Sequence, residues 1–260
     1  MRRALEIVWA GYYKEADGVG DLAEQVLVTC EHATNALPEE FELSAELLDL
    51  HIAWDPGALA IAGRIATRFG AALWQGEYSR LVVDLNRTVD NRMLIRQVSD
   101  GHPIPFNYGL SDAGRADRIA RFYNPYRNGV IAAADDLIAR HGRCVHVCVH
   151  TFTPALAGSV RGNDIGLLHD PGWGIERPVC AELRQHLDAS TDYVTWFNRP
   201  YSGTADGILP AMRKRYSPDQ FVGIELEINQ KYASDDTVLR QISDAIADGL
   251  AESPSLRTSV

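Results

Sequence analysis

Residues 144–150 read Cys-Val-His-Val-Cys-Val-His. An extended chain turns alternate side chains to opposite faces, so Cys144, His146, Cys148 and His150 share one face and three valines share the other. A run this apolar, without Lys, Asp or Glu, suits a strand buried on both sides under helices. Outward from it, short apolar runs recur at Val26–Thr29, Ala72–Trp74, Arg80–Leu85, Ile165–Leu168, Tyr193–Phe197 and Val222–Ile228. Between them, helical periodicity is best at Leu47–Phe69, Gly114–His141, Arg177–Leu187 and Thr237–Glu252. Pro125 should kink or split the third-quarter helix 114–141. Strands alternating with helices predict a single α/β domain over residues 1–260, with helices on both faces of a mixed or mostly parallel sheet. Residues 91–112, rich in Gly, Pro and Asn, read as a long surface loop of the kind that often carries function.

Composition narrows the function. The 260 residues are 46% hydrophobic and carry 25 Lys+Arg against 35 Asp+Glu, a net charge of −10. A chain this long buries roughly three quarters of its unfolded surface and needs no disulfide to hold a core. The acidic balance argues against nucleic acid or an anionic membrane as partner. A local pair of arginines can still select a small anion. No run reaches the roughly 18 apolar residues of a membrane span. The four cysteines form no C-x-x-C pair and read as reduced thiols of a cytoplasmic protein. Met1–Gly18 reads as mature chain, because Glu6 interrupts the apolar stretch a signal peptide needs. Gly18-Val-Gly20 precedes the first strand and so is no dinucleotide fingerprint. Nothing in the sequence fixes the oligomeric state.

In open α/β sheets, ligands sit beyond the carboxyl ends of the strands. Four apolar runs end in polar residues: Glu31-His32 through Asn35, Asn86-Arg87, His150-Thr151, and Asn229-Gln230 after Glu225 and Glu227. Two imidazoles and one carboxylate, with a fourth position open, form a common catalytic zinc arrangement, which makes His32 and His150 candidate ligands. The carboxylate is Asp55, in His51-Ile-Ala-Trp-Asp55-Pro-Gly, unless it merely caps a helix. Glu31 competes, although neighbours on a strand face opposite ways. A Cys/His cluster on 144–150 fails, since one strand cannot wrap four ligands around an ion. Glu225 and Glu227 share a face of a buried-looking strand, costly unless bound, and one could be a general base. Arg80, Asn86 and Arg87 form the facing group; an Asp84–Arg87 pair on the surface would be worth little. Tyr201-Ser202-Gly203 reads as a substrate-side loop or simply a turn.

The motifs CEHATN, HIAWDPGA, YSRLVVDLNR, VHTFTP, NDIGLLHD, NRPYSG and GIELEINQ, in this order from about Val26 to Gln230, resemble the N-formylglutamate amidohydrolase family. The resemblance implies a three-layer α/β/α sandwich with a mixed central sheet, similar to zinc carboxypeptidases, phosphorylase/hydrolase-like folds and aspartoacylase-type hydrolases. It implies cleavage of N-formyl-L-glutamate, or a similar acidic N-acyl amino acid, by a water activated on one zinc or other divalent ion. Carried over by motif, His32, Asp55 and His150 would hold the metal and Glu227 would be the base. Arg80 would polarise the scissile carbonyl. Asn86 and Arg87 would hold a substrate carboxylate, beside Tyr201 and Ser202. The alternatives are a non-catalytic relative that binds small carboxylates, and a metal hydrolase for another amide or peptide.

Overall fold

The structure, a computed structural model, describes residues 20–257; the stretch read as mature chain, with Gly18 and Val19, lies outside them. The first half contains β1 (Val26–Cys30), α1 (Ala45–Leu48), α2 (Ala58–Phe69), β2 (Ala72–Gln75), the hairpin β3 (Val98–Ser99) and β4 (His102–Pro103), α3 (Asp112–Arg118) and α4 (Asn124–His141). The second half contains β5 (Cys144–Phe152), the hairpin β6 (Ala155–Leu156) and β7 (Ser159–Val160), β8 (Ile165–Leu168), α5 (Glu176–Ser190) and β9 (Thr195–Phe197). It ends with α6 (Ile208–Arg213), β10 (Phe221–Asn229), α7 (Asp236–Glu252) and α8 (Pro254–Arg257).

Six strands form one sheet in the order β2-β1-β5-β10-β8-β9. All neighbours run parallel except β10 and β8, so the sheet is mixed, as expected. The opening heptapeptide lies inside β5, every residue of which is buried. Its valines pack with Val222, Ile224, Leu226 and Ile228 of β10 under α2, α5 and α7. On the other face Cys144 and Cys148 join Leu27, Val130, Met212 and Phe221 beneath α4 and α6. Each such side chain contributes about 1.5–3 kcal/mol when fully buried, so both helix layers are held by the sheet. Helix α2 buries Ala58, Ile61, Ala62, Ile65, Ala66 and Phe69, a stripe at three- and four-residue spacing.

Three local expectations change. The helical pattern 47–69 breaks, because Pro56 and the left-handed Gly57 (φ 85°) start α2 afresh. The run Arg80–Leu85 is not a strand but a buried series of turns: Val82 N–H donates to Ser79 O and Asp84 N–H to Leu94 O. Val82, Val83 and Leu85 fill the α4 side of the core while Leu81 packs with Ala53 and Ile104, and a short apolar run cannot by itself distinguish strand from buried loop. Pro125 does not split its helix. A π-helical turn at Ile119–Tyr123 absorbs the irregularity just before it, and Pro125 then sits in the first turn of α4.

All four cysteines are free and buried. Among the described residues no helix is long and apolar enough to cross a membrane.

On β5, His146 is fully buried; its Nε2 meets Thr29 Oγ1 at 2.9 Å while Nδ1 has no partner. Burial lowers its pKa from 6.5 to about 4. Between those values the unfolded chain binds the proton and the folded one does not. The contribution of neutral His146 is therefore present above about pH 6.5 and lost as pH falls toward 4. Urea unfolding at stepped pH should show the parent losing more stability across that window than His146→Gln. Parallel curves would show that His146 stays neutral for no energetic consequence.

Candidate active site

The carboxyl ends of β1, β5 and β10 and the 79–87 turns surround a cavity of about 280 Å³. His32, Asp55, Arg80, Asn86, Arg87, His150, Tyr201, Ser202 and Glu227, the residues singled out from sequence, all line it. Chain pairing explains the convergence. Parallel β1 and β5 pair Thr29 with Cys148, so Glu31 and His32, just past the end of β1, come level with His150, which is still within β5. In the same frame β10 sets Glu227 opposite His150. Asp55 N–H donates to His32 O at 2.9 Å, which ties the Asp-Pro-Gly turn to the end of β1.

The two imidazoles share one oxygen. His32 Nδ1 lies 3.2 Å and His150 Nδ1 2.8 Å from Asp55 Oδ2, and the rings are 4.7 Å apart. Their outer nitrogens face buried carboxylates: His32 Nε2 is 2.7 Å from Asp84 Oδ1, and His150 Nε2 is 3.1 Å from Glu31 Oε2. Asp84 Oδ2 also accepts from Arg80 Nη2 at 2.8 Å and Arg96 Nη2 at 3.3 Å. Glu31 accepts from the Tyr126 hydroxyl at 2.8 Å and the Cys148 thiol at 3.0 Å.

Charge follows from this wiring. Burial alone would raise the Asp55 and Asp84 carboxyls; the imidazoles, and Arg80 and Arg96 at Asp84, outweigh it and hold both well below the usual range. Glu31 is depressed in the same way, chiefly by His150 against its own burial. Glu227 goes the other way: burial, with Glu225 and Asp55 adding, pushes it well above the usual range. Its Oε2 is buried without a partner. Across the sheet Gly166 leaves it room, since a Cβ there would lie 3.1 Å from Glu227 Cβ and 2.1 Å from Arg199 O.

This donor set fits a divalent ion. His32, Asp55 and His150 each offer an atom within 4.8 Å of the others. Ligands around a tetrahedral zinc stand about 3.3 Å apart, given bonds near 2.0 Å. The orphaned Glu227 oxygen and the unpartnered Nε atoms of Arg80 and Arg87 also belong to residues lining the cavity.

Several bland readings fail and some partners were not foreseen. Asp55 caps nothing, since α2 has Gly57 at its N-cap. Asp84 is 1% exposed and its carboxylate bonds His32, not the Arg87 guanidinium, whose Nη1 donates to Asp206 O at 2.7 Å. Glu31 lies across His150 from Asp55, so it is not the carboxylate shared by the histidines. Asn86 Oδ1 accepts from Ile208 N–H, which turns Nδ2 toward His150 Nε2 at 3.1 Å. Ser202 Oγ pairs with Thr204 Oγ1, while Tyr201 is 45% exposed at the rim and its hydroxyl accepts from Arg161. Sequence reasoning missed Arg96 and Tyr126 and the orienting roles of Asp84 and Glu31. The sole signals for them were the position of Asp84 two residues before Asn86 and the functional bias of the 91–112 loop.

A histidine–carboxylate cluster thus lies at the carboxyl edge of a mixed sheet between two helix layers, an α/β/α architecture. The chain belongs to the N-formylglutamate amidohydrolase family, whose model matches residues 24–234. A gene product of Agrobacterium tumefaciens has a similar crystal structure at 28% identity and a TM-score of 0.74, covering 87% of this chain and 90% of that one. The N-formylglutamate amidohydrolase of Ralstonia eutropha, 18% identical, shares the fold with a TM-score of 0.70, over 88% of this chain and 93% of that one. Comparison with curated proteins finds no match.

The loop that carries Tyr201 and Ser202 is held from beneath. Arg213 donates from Nη1 to Gly203 O at 2.7 Å, and from Nε and Nη2 to Glu176 at 2.9 and 2.8 Å. Arg213→Met should leave the Glu176 carboxylate buried without its cation. Such a loss costs about 3–5 kcal/mol, to be read by urea unfolding. A change below about 1 kcal/mol would mean that the pair holds neither loop nor core.

Proposed function

We propose that the protein is a zinc-dependent amidohydrolase that cleaves an acidic N-acyl amino acid, N-formyl-L-glutamate or a close relative, with the ion held by His32, Asp55 and His150. The observation that carries this reading is the meeting of two Nδ1 atoms at one carboxylate oxygen, with each outer nitrogen already held by a carboxylate. A bound ion would supply Lewis acidity and a water acidic enough to lose its proton near neutral pH.

The side chains do the rest. Glu227, in its ionised form, takes a proton from the attacking water and returns it to the leaving amine, and its burial makes that carboxylate the stronger base. Arg80 spends its Nη atoms on Asp55 and Asp84 and keeps Nε for the carbonyl oxygen, whose charge grows toward the transition state. Arg87, with Nε unpartnered, and the Nδ2 edge of Asn86 bind the substrate carboxylate and fix its orientation. Tyr201 and Ser202 close the outer side of the cavity.

Protein purified without chelator should carry about one equivalent of zinc, as a single open site implies, and His32→Ala and His150→Ala should lose it. Full metal content in both variants would move the site elsewhere; a metal-free parent unable to take up zinc would leave a carboxylate-binding relative. Glu227→Gln should keep zinc yet turn over N-formyl-L-glutamate roughly 10²- to 10⁴-fold more slowly, the usual cost of a lost general base. Equal kcat in variant and parent would remove Glu227 from the reaction.

A further inference from the structure

We infer that Glu31 is a positioning residue for the proposed metal centre: its carboxylate keeps a proton on His150 Nε2 and so leaves His150 Nδ1 as the nitrogen offered to the ion. This rests on the metal reading above and extends it to a group outside the ligand set. In a histidine that binds metal, the bond made by one ring nitrogen decides which one is free.

The geometry at Nε2 presents two rival neighbours. Glu31 Oε2 and Asn86 Nδ2 both lie 3.1 Å from it. Asn86 is a donor there, because its oxygen is committed to Ile208 N–H at 2.8 Å. If Asn86 supplied the hydrogen, Nε2 would carry a bare lone pair against a carboxylate with 0% exposure. Two lone pairs at that distance, far from water, are the arrangement such a site cannot hold. A proton on Nε2 resolves it and gives Glu31 a charge-assisted bond, and Asn86 Nδ2 is then a neighbour, not the donor; at Nδ1, 2.8 Å from Asp55 Oδ2, the same conflict would be met by the bound cation instead of a proton.

Glu31 is itself locked. The Tyr126 hydroxyl donates to its Oε1 and the Cys148 thiol to its Oε2, at 2.8 and 3.0 Å. Tyr126 comes from the first turn of α4, directly after the π-helical turn, and Cys148 shares a strand face with His150. The carboxylate is therefore aimed before any metal arrives. It mirrors Asp84, which holds His32 Nε2 on the opposite side.

The test uses the full chain loaded with zinc, with affinity read by competition against a chromophoric chelator and the His150 ring proton read by nitrogen-correlated NMR. In the parent, Nε2 should carry a hydrogen-bonded, slowly exchanging proton. Glu31→Ala should lose that signal and bind zinc about 10- to 100-fold more weakly, the usual cost of removing a partner of a ligating histidine. Glu31→Gln, which keeps an accepting oxygen, should restore most of the affinity and the signal; a purely structural role would weaken zinc binding in Glu31→Ala without removing the Nε2 proton signal. Tyr126→Phe covers a Glu31→Ala that fails to fold: with one donor removed, the carboxylate should pull harder and move the Nε2 proton downfield. A bare Nε2 in the parent, zinc held as tightly by Glu31→Ala, or an unmoved resonance in Tyr126→Phe would each overturn the inference while leaving the metal reading intact. A parent that takes up no zinc would overturn both.

Discussion

Two imidazoles turned toward one oxygen of Asp55 set the constraint on which the rest of the structure depends. Three carboxylates, Glu31, Asp55 and Asp84, are all less than 5% exposed within this cluster. Isolated carboxylates would not stay ionised there. They are tolerated because His32, His150, Arg80 and Arg96 interleave with them, each carboxylate meeting ring or guanidinium nitrogens within hydrogen-bond reach. The arrangement fails if any contributor shifts by an ångström or so, and its parts come from residues 31–32, 55, 84, 96 and 150. Only a rigid frame can gather segments so far apart in sequence. The parallel pairing of β1 with β5, and of β5 with β10, is that frame, and the two helix layers keep it from sliding.

What the sequence reveals of this follows from the same physics. His32, His150 and Glu227 stand out because a polar group ending or interrupting a buried apolar run needs a reason to be there. The sheet class and the helix stripes were visible through periodicity. The supporting partners were not. Asp84 and Arg80 lie four apart in a series of turns, where the alternation of a strand would have set them on one face for a different reason. The run looked like a strand because its valines and leucines are buried, and burial carries no label of backbone conformation. Glu31 illustrates a related limit. As a strand neighbour of His32 it should face away, but the strand ends at Cys30, and the turn that follows lets both side chains reach the cluster from different sides. Arg96 and Tyr126 owe their places to tertiary packing of a long loop and of a helix with a π-helical turn, which no local pattern encodes.

The net negative charge of the chain and the three arginines lining the cavity are compatible because they act over different ranges. At physiological ionic strength a charge is screened over about 8 Å, so the net charge of −10 governs solubility more than events at the cavity floor. Inside, burial, with the crowding of Arg80 and Arg87 adding to it, lowers the pKa of Arg96. Such crowding is sustained by Asp84, which bonds both Arg80 and Arg96.

Arg87 is the exception within that trio, and on the proposed function the exception is where selectivity would lie. It contacts Asp206 through a neutral backbone carbonyl, while the Asp206 carboxylate turns to Thr88 N–H and Asn91 Nδ2. Its guanidinium is thus fixed at one end without a direct ion partner at the other. A fixed, planar, incompletely neutralised fork is suited to a carboxylate that arrives from solvent, because it loses little entropy and surrenders no existing salt bridge on binding. Arg80 and Arg96 would have to give up Asp84 to do the same, and releasing Asp84 would free His32. On the proposed function the chain separates two tasks that share one charge type: arginines bound to Asp84 stabilise the histidine cluster, and Arg87, seven residues past Arg80, would face the incoming anion.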